Sequence, residues 1–189
     1  MADIASPSRY TFVPYSTDWP AEFERESERL RGLLGDALVT VHHIGSTSVP
    51  GLAAKPIIDV LPCVTSLEAV EAATPRLAAA GYRAWGAYGL PGRRYFTRDR
   101  DGWRTHNVHI YRVDDRDVTR HLAFAAFLRH HPDVRDAYAA VKRDAYARHP
   151  ADIAAYADAK DAWIKRVERD ALAWFTAARP GVAPGAARA

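Results

Sequence analysis

The run from His43 to Val60, HIGSTSVPGLAAKPIIDV, constrains this chain more than any other stretch, because it sets a loop of small residues between two apolar, strand-like segments. Gly45 lets the backbone turn without a Cβ clash, so successive N–H groups can converge on an anion while Ser46 and Thr47 add hydroxyl donors. Lys55 can add a positive charge. Fourteen residues past Gly45, Asp59 falls inside the second apolar segment, where an unpaired carboxylate is costly to bury. A bound metal ion would account for it.

Around this loop the pattern alternates between helix and strand. Asp18 is a candidate N-cap with Pro20 in the first turn, and Phe23, Ser27, Leu30 and Leu34 recur at helical spacing up to about Gly35. Val39 to Ile44 and Pro56 to Leu61 read as strands, and Ser66 can cap a helix that stops at Gly81. Tyr82 to Trp85, Arg94 to Thr97 and Thr105 to Tyr111 read as three more strands separated by Gly, Pro and Asp-Gly turns. Beyond Asp114 the spacing becomes helical, with Pro132 and Pro150 at the start of the later two segments. These elements imply an α/β (α+β) protein with a mixed sheet flanked by helices and a helical C-terminal third. Residues 1–8 and 179–189 are small and Pro/Gly-rich and are expected to be disordered, leaving one domain over 9–178.

Composition narrows the function classes. No window approaches the ~20 apolar residues of a membrane span, and no secretory signal opens the chain, so a cytoplasmic location is expected. Cys63 is alone, can form no internal disulfide, and is expected to be a small buried hydrophobe. The net charge of +3 is no argument for a nucleic-acid partner. The cations are nonetheless chosen unevenly, with 22 arginines to 4 lysines. Three of those lysines, Lys55, Lys142 and Lys160, fall at notable positions. Lys142 follows Tyr138, and Lys160 follows Tyr156, at i,i+4 spacing, so each pair shares one helix face and could close over a ligand. Packed tyrosines with snorkelled lysines are the alternative.

On the strand His106-Asn107-Val108-His109-Ile110-Tyr111, alternation places Asn107, His109 and Tyr111 on one face and His106 on the other. His109 is therefore the better candidate for metal ligation or proton transfer, and His106 reaches the same site only through a bend. Arg93 and Arg94 flank a strand, where one guanidinium could grip phosphate. Of His42 and His43, only one can face the loop.

Taken together, Tyr15 with Trp19 and Phe23, the His43–Val60 run, Arg93-Arg94-Tyr95-Phe96, His106-Asn107-Val108-His109 and the two Tyr/Lys pairs resemble the GrpB (UPF0157) family from about Tyr15 to Leu172. The resemblance implies a nucleotidyltransferase-like fold, and members also occur fused to dephospho-CoA kinases. Proteins of that fold typically place two acids, spaced Asp-x-Asp, on the strand after a Gly-Ser loop to hold Mg²⁺. Here Asp59 is present, but the second position is Leu61. Where family members often carry Phe-Arg-Asp-Tyr-Leu-Arg, this chain has Phe124-Ala125-Ala126-Phe127-Leu128-Arg129, so only Arg129 remains as a polar candidate.

The expected function is Mg²⁺-dependent transfer of a nucleotidyl or phosphoryl group to a small acceptor. Asp59 and His109 are the candidate catalytic and metal residues. Gly45, Ser46, Thr47, Lys55, Arg94, His106, Arg129, Lys142 and Lys160 are the candidates for binding a phosphate-bearing small molecule. A non-catalytic module that senses a nucleotide or CoA-like ligand, and a metal-independent ligase or acyl-transfer enzyme, are the alternatives.

Overall fold

The computed structural model describes residues 10–178, so the two terminal segments expected to be disordered lie outside the described residues. The chain runs α1 (Trp19–Leu34), β1 (Leu38–Ile44), β2 (Ile58–Val64), α2 (Leu67–Ala79), β3 (Tyr82–Ala84), β4 (Arg93–Arg100), β5 (Trp103–Arg112), α3 (Arg116–His130), α4 (Pro132–Arg148) and α5 (Ile153–Ala177). The five strands form one mixed sheet in the order β1-β2-β5-β4-β3. β2 and β5 pair in parallel, whereas the other neighbours are antiparallel.

Local chemistry explains most element ends. The Ser66 hydroxyl accepts from the Ala69 N–H at 3.1 Å, closing the first turn of α2 as its position predicts. Asp18 occupies the N-cap position of α1, but its side chain makes no capping bond there. Instead its own N–H donates to Ser16 Oγ at 3.1 Å. Pro132 opens α4, while α5 starts at Ile153, later than Pro150, because the Asp152 carboxylate accepts from the N–H groups of Ala154 and Ala155.

Strand alternation sorts the core onto two faces. Ile58, Val60, Val64, Phe96, Val108 and Ile110 pack against Phe23, Leu30 and Leu34 of α1 and Val70, Ala73 and Leu77 of α2. The other face sends Leu61, Cys63 and Tyr111 toward Val118 of α3. Cys63 is fully buried, and burial pushes its thiol up to about 12. A third cluster joins Val49 and Leu52 of the β1–β2 loop to Leu128, Tyr138 and Ala139, so the C-terminal helices clamp the loop directly.

That arrangement explains Leu61. It is fully buried among Ile44, Cys63, Tyr111 and Val118. A carboxylate at this position would be taken out of water into a largely apolar cluster, at a cost of several kcal/mol. The position two residues beyond Asp59 is a core position in this chain.

The face toward α1 carries a polar network that the sequence did not disclose. Glu26 is 2% exposed, accepts from Tyr82 Oη at 2.5 Å and from Arg98 Nη1 at 2.9 Å, and lies 3.8 Å from His106 Nε2. This carboxylate is satisfied by two donors, the condition under which a buried charge is tolerated.

Candidate functional site

The loop after β1, the first half of β2, the middle of β5 and the inner faces of α3, α4 and α5 enclose a cavity of about 220 Å³. Gly45, Ser46, Thr47, Lys55, Asp59, Lys142 and Lys160 all line it, so residues spread over more than a hundred positions meet at one place. Asn107, Phe124, Tyr138 and Tyr156 complete the polar and aromatic wall.

Gly45 is needed twice over. Its φ of +67° lies in the region that favours glycine, and a Cβ there would fall on the Asp59 carboxylate. The turn and the acid are therefore in direct contact. Past Gly45, Ser46–Ser48 form a 3₁₀ turn, and Ser48 Oγ donates to Gly45 O at 2.7 Å. Thr47 Oγ1 lies 3.0 Å from His43 Nε2, so this hydroxyl already has a partner. His43 itself stacks on Phe23 of α1, with ring centroids 4.8 Å apart and planes 6° apart. Burial, reinforced by the charge of Arg129 and opposed by Asp59, lowers His43 to about 4. A neutral His43 pins the loop from the α1 side.

Asp59 is held from β5. The parallel register sets Asp59 beside Asn107, whose amide donates to Asp59 Oδ1 at 2.8 Å. Tyr95 Oη donates in turn to Asn107 Oδ1 at 2.8 Å, and His109 Nε2 lies 3.8 Å from Asp59 Oδ1. Burial alone would raise the carboxyl, but the His109 ring, the Asn107 amide and the Lys55 charge outweigh it and hold Asp59 below the usual carboxylate range. The acid is ionised and still 27% exposed to the cavity side.

The lysines face this one carboxylate without pairing to it. Lys142 is 2% exposed, donates to Ala53 O at 2.6 Å, and sits 4.6 Å above the Tyr138 ring. Lys160 lies 4.3 Å from the Tyr156 ring centroid, and Lys55 lies 5.1 Å from that same ring. These are cation–π distances, so aromatic faces stand in for counter-charges. Burial, with like charges from Lys160 and Lys55, lowers Lys142 to about 7, and burial with Lys55 lowers Lys160 to about 8. Lys55 is lowered as well, by burial first, with Arg104 adding to it and Asp59 opposing. The fourth lysine, Lys165, is shifted the other way: it pairs with Asp161 at 2.6 Å on the surface, and that hydrogen bond and charge raise it. Three crowded, desolvated ammonium groups facing one acid form a site with unfilled demand for negative charge.

Four candidates divide between the edge of this site and other surroundings. His109 stands behind Asp59, tilted on Tyr95 at 5.0 Å between centroids and flanked by His121 at 5.6 Å. His106 faces the opposite side, where it joins the Glu26 network: the irregularity of β5 falls just before it, at Thr105, and from His106 to Tyr111 the pairing with β4 is even, so alternation holds between His106 and His109. Arg94 leaves the cavity and donates to Glu71 of α2 through Nε at 2.9 Å. Arg129 is exposed on the last turn of α3 and lines no part of the cavity. Instead Arg93 turns to the Asp59 face, donating to Tyr88 O at 2.6 Å and lying 3.5 Å from His109 Nδ1.

The sequence offered no role for Asn107 on the cavity wall or for Tyr95 behind it, and left the two tyrosines open between packing and closing over a ligand. Alternation did put Asn107 on the His109 face, but only the β2–β5 register shows that it meets Asp59. Tyr138 and Tyr156 serve both readings at once, packing against Trp163 and Tyr10 while presenting a ring to a lysine.

Fold and cavity together define an α+β protein with a mixed sheet and a helical C-terminal layer, which buries a cation-rich pocket against a glycine loop. The chain belongs to the GrpB family, whose description, GrpB protein, matches residues 9–170. It is 43% identical over 162 residues to the UPF0157 protein YqkA of Bacillus subtilis, covering 86% of this chain and 47% of that protein. A dephospho-CoA kinase of Mycolicibacterium paratuberculosis is 34% identical over 187 residues, covering 86% of this chain and 46% of the kinase. The chain thus spans about half the length of these two relatives. The crystal structure of conserved protein GrpB from Enterococcus faecalis superposes with a TM-score of 0.84 at 40% identity, over 87% of this chain and 99% of that one. Among the described residues, no helix is long and apolar enough to cross a membrane.

Proposed function

We propose that this chain binds a phosphate-bearing small molecule, foremost a nucleotide, in the Lys55/Lys142/Lys160 cavity, and transfers a nucleotidyl or phosphoryl group from it to a small acceptor. One observation carries the reading: three lysines with lowered basicity and, among the described residues, no carboxylate partner of their own converge with the Gly45–Thr47 turn on Asp59. A polyanion would restore their ordinary charge and offset their mutual repulsion. The relative named dephospho-CoA kinase keeps CoA-like phosphate esters among the candidate ligands. The buried free Cys63 fits a reducing, cytoplasmic setting.

Mg²⁺ has one place in this proposal. Among the described residues Asp59 is the sole carboxylate on the cavity wall, and it would hold the ion together with phosphate oxygens and water. Such an ion would polarise the phosphoryl oxygens. Asp59 would hold it, Asn107 and His109 keep Asp59 in place, and the lysines would neutralise the charge on the leaving phosphate.

A second reading, a non-catalytic sensor of the same ligands, is favoured by Leu61, since the core claims the position of a second acid. Calorimetric titration with ATP, CTP, GTP and UTP, with and without Mg²⁺, tests the binding that both readings share. Absence of binding to all four by a folded sample sinks the nucleotide version. Asp59→Ala separates the two: a large loss of Mg²⁺-supported binding supports transfer chemistry, and nearly intact affinity supports the sensor. Transfer activity that survives EDTA would instead favour metal-independent ligase or acyl-transfer chemistry.

A further inference from the structure

A second cavity, of about 310 Å³, adjoins the first and shares Lys55 and Ile57 with it. Its chemistry differs. Tyr10, Pro56, Ile57 and Trp103 supply broad apolar surface, and Arg104 supplies one guanidinium at the rim. Small-molecule sites occupy roughly 300–1,000 Å³, which the two compartments reach together more comfortably than the phosphate side does alone.

Trp103 is the telling residue. The tight Asp101-Gly102 turn, with φ of +52° and +78°, lifts it onto the rim at the start of β5, where it stays 41% exposed. Trp19, Trp85, Trp163 and Trp174 each pack against another aromatic ring. Among the described residues Trp103 makes no such contact and presents its ring to the cavity. Arg104, next in sequence, is anchored by Nε donation to Asp99 Oδ1 at 2.7 Å, so its planar head is held beside that opening. An unpartnered indole with a fixed guanidinium plane is the equipment with which proteins stack flat heterocycles.

We propose that this annex is a subsite for the planar heterocycle of the ligand whose phosphates occupy the lysine cavity. Lys55 lines both compartments and sits at their junction, where the phosphate chain meets the nucleoside. The inference rests on the phosphate-binding reading above and narrows it, because a ligand that fills both compartments is a nucleotide or another heterocycle-bearing phosphate ester, and not a bare sugar phosphate.

The test compares inorganic tripolyphosphate with ATP, CTP, GTP and UTP by calorimetry on the full chain, in wild type, Trp103→Ala and Trp103→Phe. Wild type should bind at least one nucleoside triphosphate about tenfold or more tightly than tripolyphosphate. Trp103→Ala should lose about tenfold in nucleotide affinity, the loss of one base-stacking contact, and leave tripolyphosphate unchanged. Trp103→Phe, which keeps a stacking face, should restore most of the loss. Trp103 is exposed, and circular dichroism verifies that each variant is folded. Tripolyphosphate and nucleotides binding equally, with no response to Trp103→Ala, overturns the annex and leaves the lysine cavity standing. Binding of neither class overturns both.

Discussion

Lys142→Met gives the sharpest test of whether the cavity is built for an anion. The substitution keeps a long, flexible stem and removes the ammonium. Lys142 falls from an ordinary 10.5 to about 7 because it is buried beside Lys160 and Lys55. At about 1.36 kcal/mol per pH unit, that difference sets an upper bound of roughly 5 kcal/mol on what the charge costs the folded state. Relaxation around the charge reduces the figure, and losing the donor to Ala53 O takes back about 1 kcal/mol. A net gain of about 1–3 kcal/mol in stability at pH 7 is expected, read by urea denaturation followed through tryptophan fluorescence. The sign carries a second prediction. The folded lysine holds its proton less tightly than the unfolded one, so the cost is fully present below about pH 7 and fades as pH rises toward 10.5. Wild type should therefore gain stability on the variant between about pH 7 and pH 10. The same substitution should weaken tripolyphosphate binding about tenfold. A variant less stable than wild type at pH 7, with a parallel pH profile and unchanged anion affinity, would show that Lys142 is only a donor to the loop carbonyl.

Anion affinity itself should fall as pH rises past the values of Lys142, about 7, and Lys160, about 8, well before ordinary lysines lose charge. Calorimetry in buffers of different ionisation enthalpy should register proton uptake on binding at pH 8, and constant affinity up to pH 9 would contradict the assignment. Gly45→Ala should displace the Asp59 carboxylate, cost about 1–3 kcal/mol in stability through its positive φ, and lower ligand affinity. Leu61→Asp should create no metal site: buried among Ile44, Cys63, Tyr111 and Val118, it should lower stability by about 3 kcal/mol or more, and a stable variant with gained Mg²⁺ affinity would refute that placement. Glu26→Gln should destabilise by about 2–4 kcal/mol by leaving Arg98 partly unpaired, yet shift ligand affinity less than twofold, since its network lies on the opposite face of the sheet.

Local chemistry was legible in advance wherever neighbours in sequence decide it. Ser66 caps α2, Pro132 opens α4, and five strands with intervening turns follow from β-branched runs and Gly or Asp-Gly breaks. Alternation along β5 correctly parted His109 from His106, because a regular strand turns successive side chains to opposite faces. The i,i+4 spacing put Tyr138 with Lys142 and Tyr156 with Lys160, because helical geometry is local. Where the reading slipped, the competing contact lay far away in sequence. Arg94 answers Glu71 on α2, His106 meets Glu26 on α1, and neither acid can be assigned from β4 or β5 alone.

The composition of the site was therefore written along the chain: a glycine turn, one acid, and three of the four lysines in a chain otherwise rich in arginine. Its electrostatics were not. Burial and proximity lower the three lysines, and both arise only when α4 and α5 close over the β1–β2 loop and bring Lys142 and Lys160 against Lys55. Asp59 likewise acquires its ionised, oriented state from the register that sets Asn107 beside it. Charge interactions act through space and through the dielectric around them, neither of which sequence spacing encodes.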